Sequence, residues 1–151
     1  MPIEFFTSLE RDLVYARWWG SIDSQTRYDN FSRYLSDVHY KPGRDELIDV
    51  SGVTETDWDY SRAAALLRRV NAQKPGTLVQ TRTVVWAPDD LTYGCARMLQ
   101  TLAEMASGIS VEIYRSETCA LGAYDLPYST IQMLLEEEIF LPHAPREVTQ
   151  T

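Results

Sequence analysis

The feature that most constrains this chain is the way its hydrophobic period changes along its length. Short β-branched and aromatic runs alternate with apolar stripes at helical spacing, and most changes are punctuated by a breaker. Two strand-like runs come first, Ile3 to Thr7 and Leu13 to Trp19, and the polar Glu10-Arg11-Asp12 between them predicts a hairpin. Gly20 is expected to end the second run, with Asp23 or Ser24 capping a helix striped by Tyr28, Phe31, Leu35 and Val38 and closed near Lys41-Pro42-Gly43. A central strand follows at Glu46 to Val50, bounded by Ser51-Gly52. A second helix then carries Ala63, Leu66, Leu67 and Val70 and stops at Lys74-Pro75-Gly76. Thr83 to Trp86 reads as the next strand, and Asp89-Asp90 stands at the mouth of a third helix, where acidic side chains suit the helix dipole. That helix carries Leu91, Cys95, Leu99, Leu102 and Ala106 and is closed by Gly108. Ser110 to Tyr114 is the last strand. The remainder is helical in tendency, broken at Pro127, with Tyr128, Ile131, Leu134, Leu135 and Ile139 as its stripe.

The predicted order β-β-α-β-α-β-α-β-α defines an α/β domain with a mixed, mainly parallel sheet, an N-terminal hairpin and helices packed on it. At 151 residues the chain fits one domain with a true hydrophobic core. We therefore expect a single unit over 1–141 and a loose tail over 142–151. No apolar run approaches the roughly 18 residues of a membrane span. The amino terminus lacks the basic and apolar segments of a secretory signal, so a cytoplasmic location is expected. Twenty-two acidic residues against 14 basic ones give a net charge of -8, which opposes phosphate backbones and anionic lipid as partners and argues against nucleic acid. Two cysteines and two histidines are too few and too scattered for a metal site, and no metal or other cofactor is expected.

Two stretches carry a family resemblance. Leu47-Ile48-Asp49-Val50-Ser51-Gly52-Val53-Thr54, followed by Asp57 and a helix, resembles the strand and loop of STAS domains such as the SpoIIAA-type anti-sigma-factor antagonists. Tyr93-Gly94-Cys95-Ala96-Arg97-Met98, after Ala87-Pro88-Asp89, resembles a subgroup of bacterial SpoIIAA-like proteins. The likeness runs from about Ile3 to Ala120 and leaves 121–141 as an additional helical segment. It implies a STAS-like fold without catalytic activity, acting through a protein partner, sometimes under control of a phosphorylated serine. The subgroup has also been linked to small apolar ligands or membrane surfaces. The serine-switch motif is missing here: Asp57 is followed by Trp58-Asp59-Tyr60-Ser61, which leaves Ser51 and Ser61 as phosphorylation candidates.

In open α/β sheets, sites form beyond the carboxyl ends of the strands. On this chain that edge should gather Asp49, Ser51, Asp57, Asp89, Tyr93 and Arg115. Arg97, four residues beyond Tyr93, shares its side of the third helix; either the two hold a carboxylate or phosphate, or Arg97 pairs with Asp89, Asp90 or Glu104 and Tyr93 caps the core. The carboxylates lack an accompanying nucleophile or metal set, so capping is expected rather than catalysis. Gly94, costly inside a helix, is expected to mark close packing against the sheet. Cys95 and Cys119 read as small core residues. Trp18-Trp19 places one indole on each side of its strand, so one needs a cover from a helix, a loop or a second copy of the chain, the last making a homodimer. Two functional readings follow. One is a non-enzymatic regulatory module binding a protein through Asp49 to Ser61. The other is a carrier or sensor of an apolar or amphipathic molecule, held under the third and final helices with Tyr93 and Arg97 at its polar end.

Overall fold

The computed structural model describes residues 2–73, 80–105 and 108–145. Its mixed sheet has six strands in the spatial order Ile109–Tyr114, Thr81–Trp86, Asp45–Thr56, Leu13–Ile22, Ile3–Ser8 and Leu141–Pro142. β1 (Ile3–Ser8) and β2 (Leu13–Ile22) form the expected antiparallel hairpin, with Phe5 opposite Ala16 and Phe6 opposite Tyr15. β2 then pairs in parallel with β3 (Asp45–Thr56), β3 with β4 (Thr81–Trp86), and β4 with β5 (Ile109–Tyr114). From β3 to β5 each strand lies beside its predecessor, the arrangement that intervening helices permit for parallel neighbours.

Because successive side chains of a strand point to opposite faces, the sheet has two cores. On one face lie α1 (Ser24–Leu35), α2 (Tyr60–Gln73) and α3 (Asp90–Met105), which pack over Ile48, Val85 and Val111. On the other, Leu13, Tyr15, Leu47 and Val84 pack against α4 (Glu117–Gly122) and α5 (Ile131–Glu137). We call these the three-helix and two-helix faces. The helix starts are capped as their residue types suggest. Asp23 accepts from Thr26 N at 2.7 Å, Asp89 from Thr92 N at 2.8 Å, and Thr130 from Met133 N at 3.1 Å.

Several expectations are corrected. Gly20 does not end β2: its φ of +71° accompanies the register shift between β2 and β3, and pairing continues to Ile22 and Thr56. The glycine that the bulge requires is Gly52, where a Cβ would come within 2.9 Å of Trp19 Cβ. β3 therefore runs on through Ser51-Gly52 instead of stopping there. α1 ends at Leu35, leaving Val38 exposed in the turn beyond. Gly94 is exposed and no heavy atom lies within 4 Å of the position a Cβ would take, so close packing is not its reason. Cys119 is exposed on α4, not in the core. The expected stop at Lys74-Pro75-Gly76 lies outside the described residues.

The segment expected to begin a loose tail is hydrogen-bonded. β6 (Leu141–Pro142) pairs with β1, Val38 N donates to Ala144 O at 2.8 Å, Ala144 N donates to Asp37 Oδ1 at 3.1 Å, and Asp37 bridges to Pro145. These bonds tie the chain across the β1 edge to the end of α1. Arg11 Nε, in the β1–β2 turn, donates to Glu138 at 2.8 Å and secures the segment just before it.

Candidate functional site

The residues singled out at the carboxyl edge fall into three separate places. Asp49 faces the two-helix side and is only 6% exposed. Its Oδ2 accepts from Tyr15 Oη at 3.0 Å, and its Oδ1 accepts from Ser51 N at 2.9 Å and Ser51 Oγ at 2.6 Å. Burial, with the Asp49 carboxylate next to it, holds the Tyr15 phenol far above its ordinary value, so it stays a donor. The Ser51 hydroxyl is thus committed beside a carboxylate, a poor place for a phosphate.

The second place is the start of α3. Arg115 stacks over the Tyr93 ring at 4.2 Å, reaches Asp90 at 3.1 Å and donates to Pro88 O at 3.4 Å. The phenol and guanidinium expected to stand together are therefore Tyr93 and Arg115. Arg97 is exposed and donates to Gln100, not to Asp89, Asp90 or Glu104, and Gln100 in turn donates to Val111 O at 2.9 Å on the outer edge of β5.

The third place joins α1 to the end of β3. Asp57 accepts from Ser24 N at 3.0 Å, from Ser24 Oγ at 3.1 Å and from Arg27 Nη2 at 2.7 Å, with Arg62 at 3.9 Å. Partial burial works to raise the Asp57 carboxyl, but these donors outweigh it and hold it below the usual range. Ser61 is exposed on the first turn of α2.

Arg27 is the residue that the sequence reading missed. It is 5% exposed, and Trp58 lies 4.0 Å from its guanidinium carbon. Its terminal nitrogens are all engaged: Nη1 donates to Thr56 Oγ1 at 2.9 Å and Ile22 O at 3.4 Å, and Nη2 to Ser24 Oγ at 3.0 Å and Asp57. Burial draws its value below the ordinary one, partly offset by Asp57. The stripe that places it is Arg27, Asn30, Phe31 and Tyr34, which keeps helical spacing but includes two polar residues.

Around Arg27 the three-helix face is not filled. A void of about 130 Å³ lies between α3, the start of α2 and the sheet, lined among others by Val50, Val85, Trp58, Cys95 and Ala96. A second, of about 160 Å³, lies between α1, α2 and the sheet, lined by Val14, Ala16, Asn30, Phe31 and Leu67. Trp18, Arg27, Ile48, Leu66 and Leu99 line both, so the two adjoin. Each is comparable in volume to the engineered cavity of about 150 Å³ that takes up benzene. Leu91, exposed at the start of α3, belongs to the lining of the first and brings it to the surface at the carboxyl edge of the sheet. Burial raises the Cys95 thiol, which keeps it protonated and apolar in that wall.

The expectation of a ligand under the third and final helices is corrected by this geometry. α3 and α5 stand on opposite faces of the sheet, and Tyr93 and Arg97 line neither void. The tryptophan pair is split as expected: Trp18 lines the voids, whereas Trp19 lies on the other side beside Arg17 at 5.0 Å, and both are half-buried. Among the described residues no group of three or more His, Cys, Asp or Glu could hold a metal ion, and no helix is long and apolar enough to cross a membrane. No family model matches this sequence, and no curated protein matches it.

Proposed function

We propose that the protein is a non-catalytic carrier or sensor of a small apolar or amphipathic molecule, held between the sheet and α1, α2 and α3 of a STAS-like α/β domain. The observation that carries this reading is the pair of adjoining voids beneath those helices, whose lining surface is almost wholly apolar and which reach the surface at Leu91. Interiors of folded proteins are packed to the density of organic crystals, so two benzene-sized gaps side by side call for an occupant. The run of neighbouring parallel strands after an antiparallel hairpin supports the STAS-like part of the reading. A regulatory module that docks a protein through Asp49 to Ser61 is less well supported, because Asp49 is withdrawn into the two-helix core and Asp57 is engaged by α1.

Native mass spectrometry of the full chain purified from cells tests the proposal. A retained adduct of small-molecule mass that is released by organic solvent is expected, and titration with naphthalene should raise the thermal midpoint of stripped protein. A bare chain mass, with no stabilisation by either naphthalene or 1-naphthol, overturns it.

A further inference from the structure

Buried polar groups in folded proteins are nearly always hydrogen-bonded, and those that are not call for a reason. Among the described residues, three of the side chains lining the voids keep a buried polar atom with no partner: the indole Nε1 of Trp18, the Nε of Arg27 and the Oδ1 of Asn30. Arg27 and Asn30 are one helical turn apart on α1, and Trp18 lies across from them on β2. The group thus offers two donors and one acceptor in the walls of the adjoining voids, Trp18 and Arg27 bordering both and Asn30 the second. Elsewhere in the same lining polarity is satisfied, since Glu46 accepts from Thr83 Oγ1 at 2.7 Å.

We infer that the molecule held in these voids carries an uncharged hydroxyl-type head, which accepts from Trp18 Nε1 and Arg27 Nε and donates to Asn30 Oδ1. This rests on the carrier reading above and specifies its ligand. A hydroxyl is the smallest group with both functions: it has one O–H and two lone pairs, matching one acceptor and two donors. A bare hydrocarbon leaves all three atoms unpaired. A carboxylate brings no donor for Asn30 Oδ1, and the charge of Arg27 is already answered by Asp57 at 2.7 Å, so nothing remains to offset the desolvation of a second anion. The class of ligand is therefore a phenol or alcohol on an apolar body of about two fused rings, and the sequence carries no motif that announces it.

The test uses three probes of one shape, naphthalene, 1-naphthol and 1-naphthoate, titrated calorimetrically into the stripped full-length protein. Three additional hydrogen bonds give 1-naphthol about tenfold or more over naphthalene, and 1-naphthoate is the weakest of the three. Trp18→Phe removes the N–H and keeps an aromatic ring, so it lowers the ratio of 1-naphthol to naphthalene affinity toward one; Asn30→Leu acts the same way. Equal affinity for naphthalene and 1-naphthol overturns the head-group assignment and leaves the carrier reading standing. Preference for 1-naphthoate overturns it as well. Failure of all three probes overturns this assignment, and together with a bare chain mass it removes the carrier reading as well. The wild-type ranking decides the matter alone if a variant does not fold.

Discussion

The two faces of the sheet are built by alternate residues of the same strands, yet they are filled to different degrees. On the two-helix side, α4 and α5 are short, but Leu47, Val84, Ala120, Leu121 and Leu134 are wholly buried, with Tyr124 bridging the carbonyls of Glu46 and Arg82 at 2.8 and 2.9 Å. On the three-helix side the covering elements are longer, and still two voids remain and a charged residue lies among the apolar ones. Length of covering helix therefore does not set the quality of a core. What differs is the inner stripe: α1 turns Arg27 and Asn30 toward the sheet, and residues that need polar partners cannot close on apolar strands as leucines do.

The largest effects should separate the faces most clearly. Leu134→Ala on the closed side should cost about 3 to 4 kcal/mol in urea unfolding, because the wall around it cannot collapse. Leu66→Ala, already bordering both voids, should cost only about 1 to 2 kcal/mol. Equal losses would show that the two cores are packed alike. Enlarging small residues should act with opposite sign on the two sides. Ala120→Leu, at a position with no exposed area, should destabilise by about 2 kcal/mol through overpacking. Ala96→Leu, in the wall of the first void, should stabilise by about 1 kcal/mol and abolish retention of a small molecule. A destabilising Ala96→Leu would mean that the void is not there to be filled.

The smallest effect concerns the polar rim of the open side. The Asp57 carboxyl is lowered in the folded protein, so its contribution is fully present above the unfolded value and is lost as pH falls through the folded one. With a side chain about one-third exposed the contribution is small, about 0.5 kcal/mol. Unfolding midpoints of wild type and Asp57→Asn should differ at pH 7 and draw together below about pH 4; a constant gap down to pH 2 would show that the network does not depend on the charge.

How far these features could be read from sequence depends on the kind of signal each residue gives. The hairpin, the parallel strands and the caps at Asp23 and Asp89 are local: period-two runs, breakers and short polar side chains speak for themselves. Apolarity alone points one position away from the inner stripe of α1. Tyr28, Phe31, Leu35 and Val38 look like a face, but the side turned inward is Arg27, Asn30, Phe31 and Tyr34. Strand extents beyond Gly20 and Ser51 escaped for a different reason, since a bulge between two strands belongs to the pair and to neither segment alone. The separation of α3 from α5 likewise is a property of which side of a sheet each crossover takes.

The strap at 141–145 also bears on how the molecule comes into being. Strands β2 to β5 each dock on a neighbour made just before, so the body of the sheet can grow in step with synthesis. β1 cannot be finished in that way: its outer edge waits until Leu141 and Pro142 emerge, and until then it presents unpaired backbone to any other nascent chain. Arg11 and Glu138, with Asp37 and Ala144, form the latch that ends that interval. Loosening it should be felt first as lower soluble yield during expression, before any loss in the stability of the finished fold.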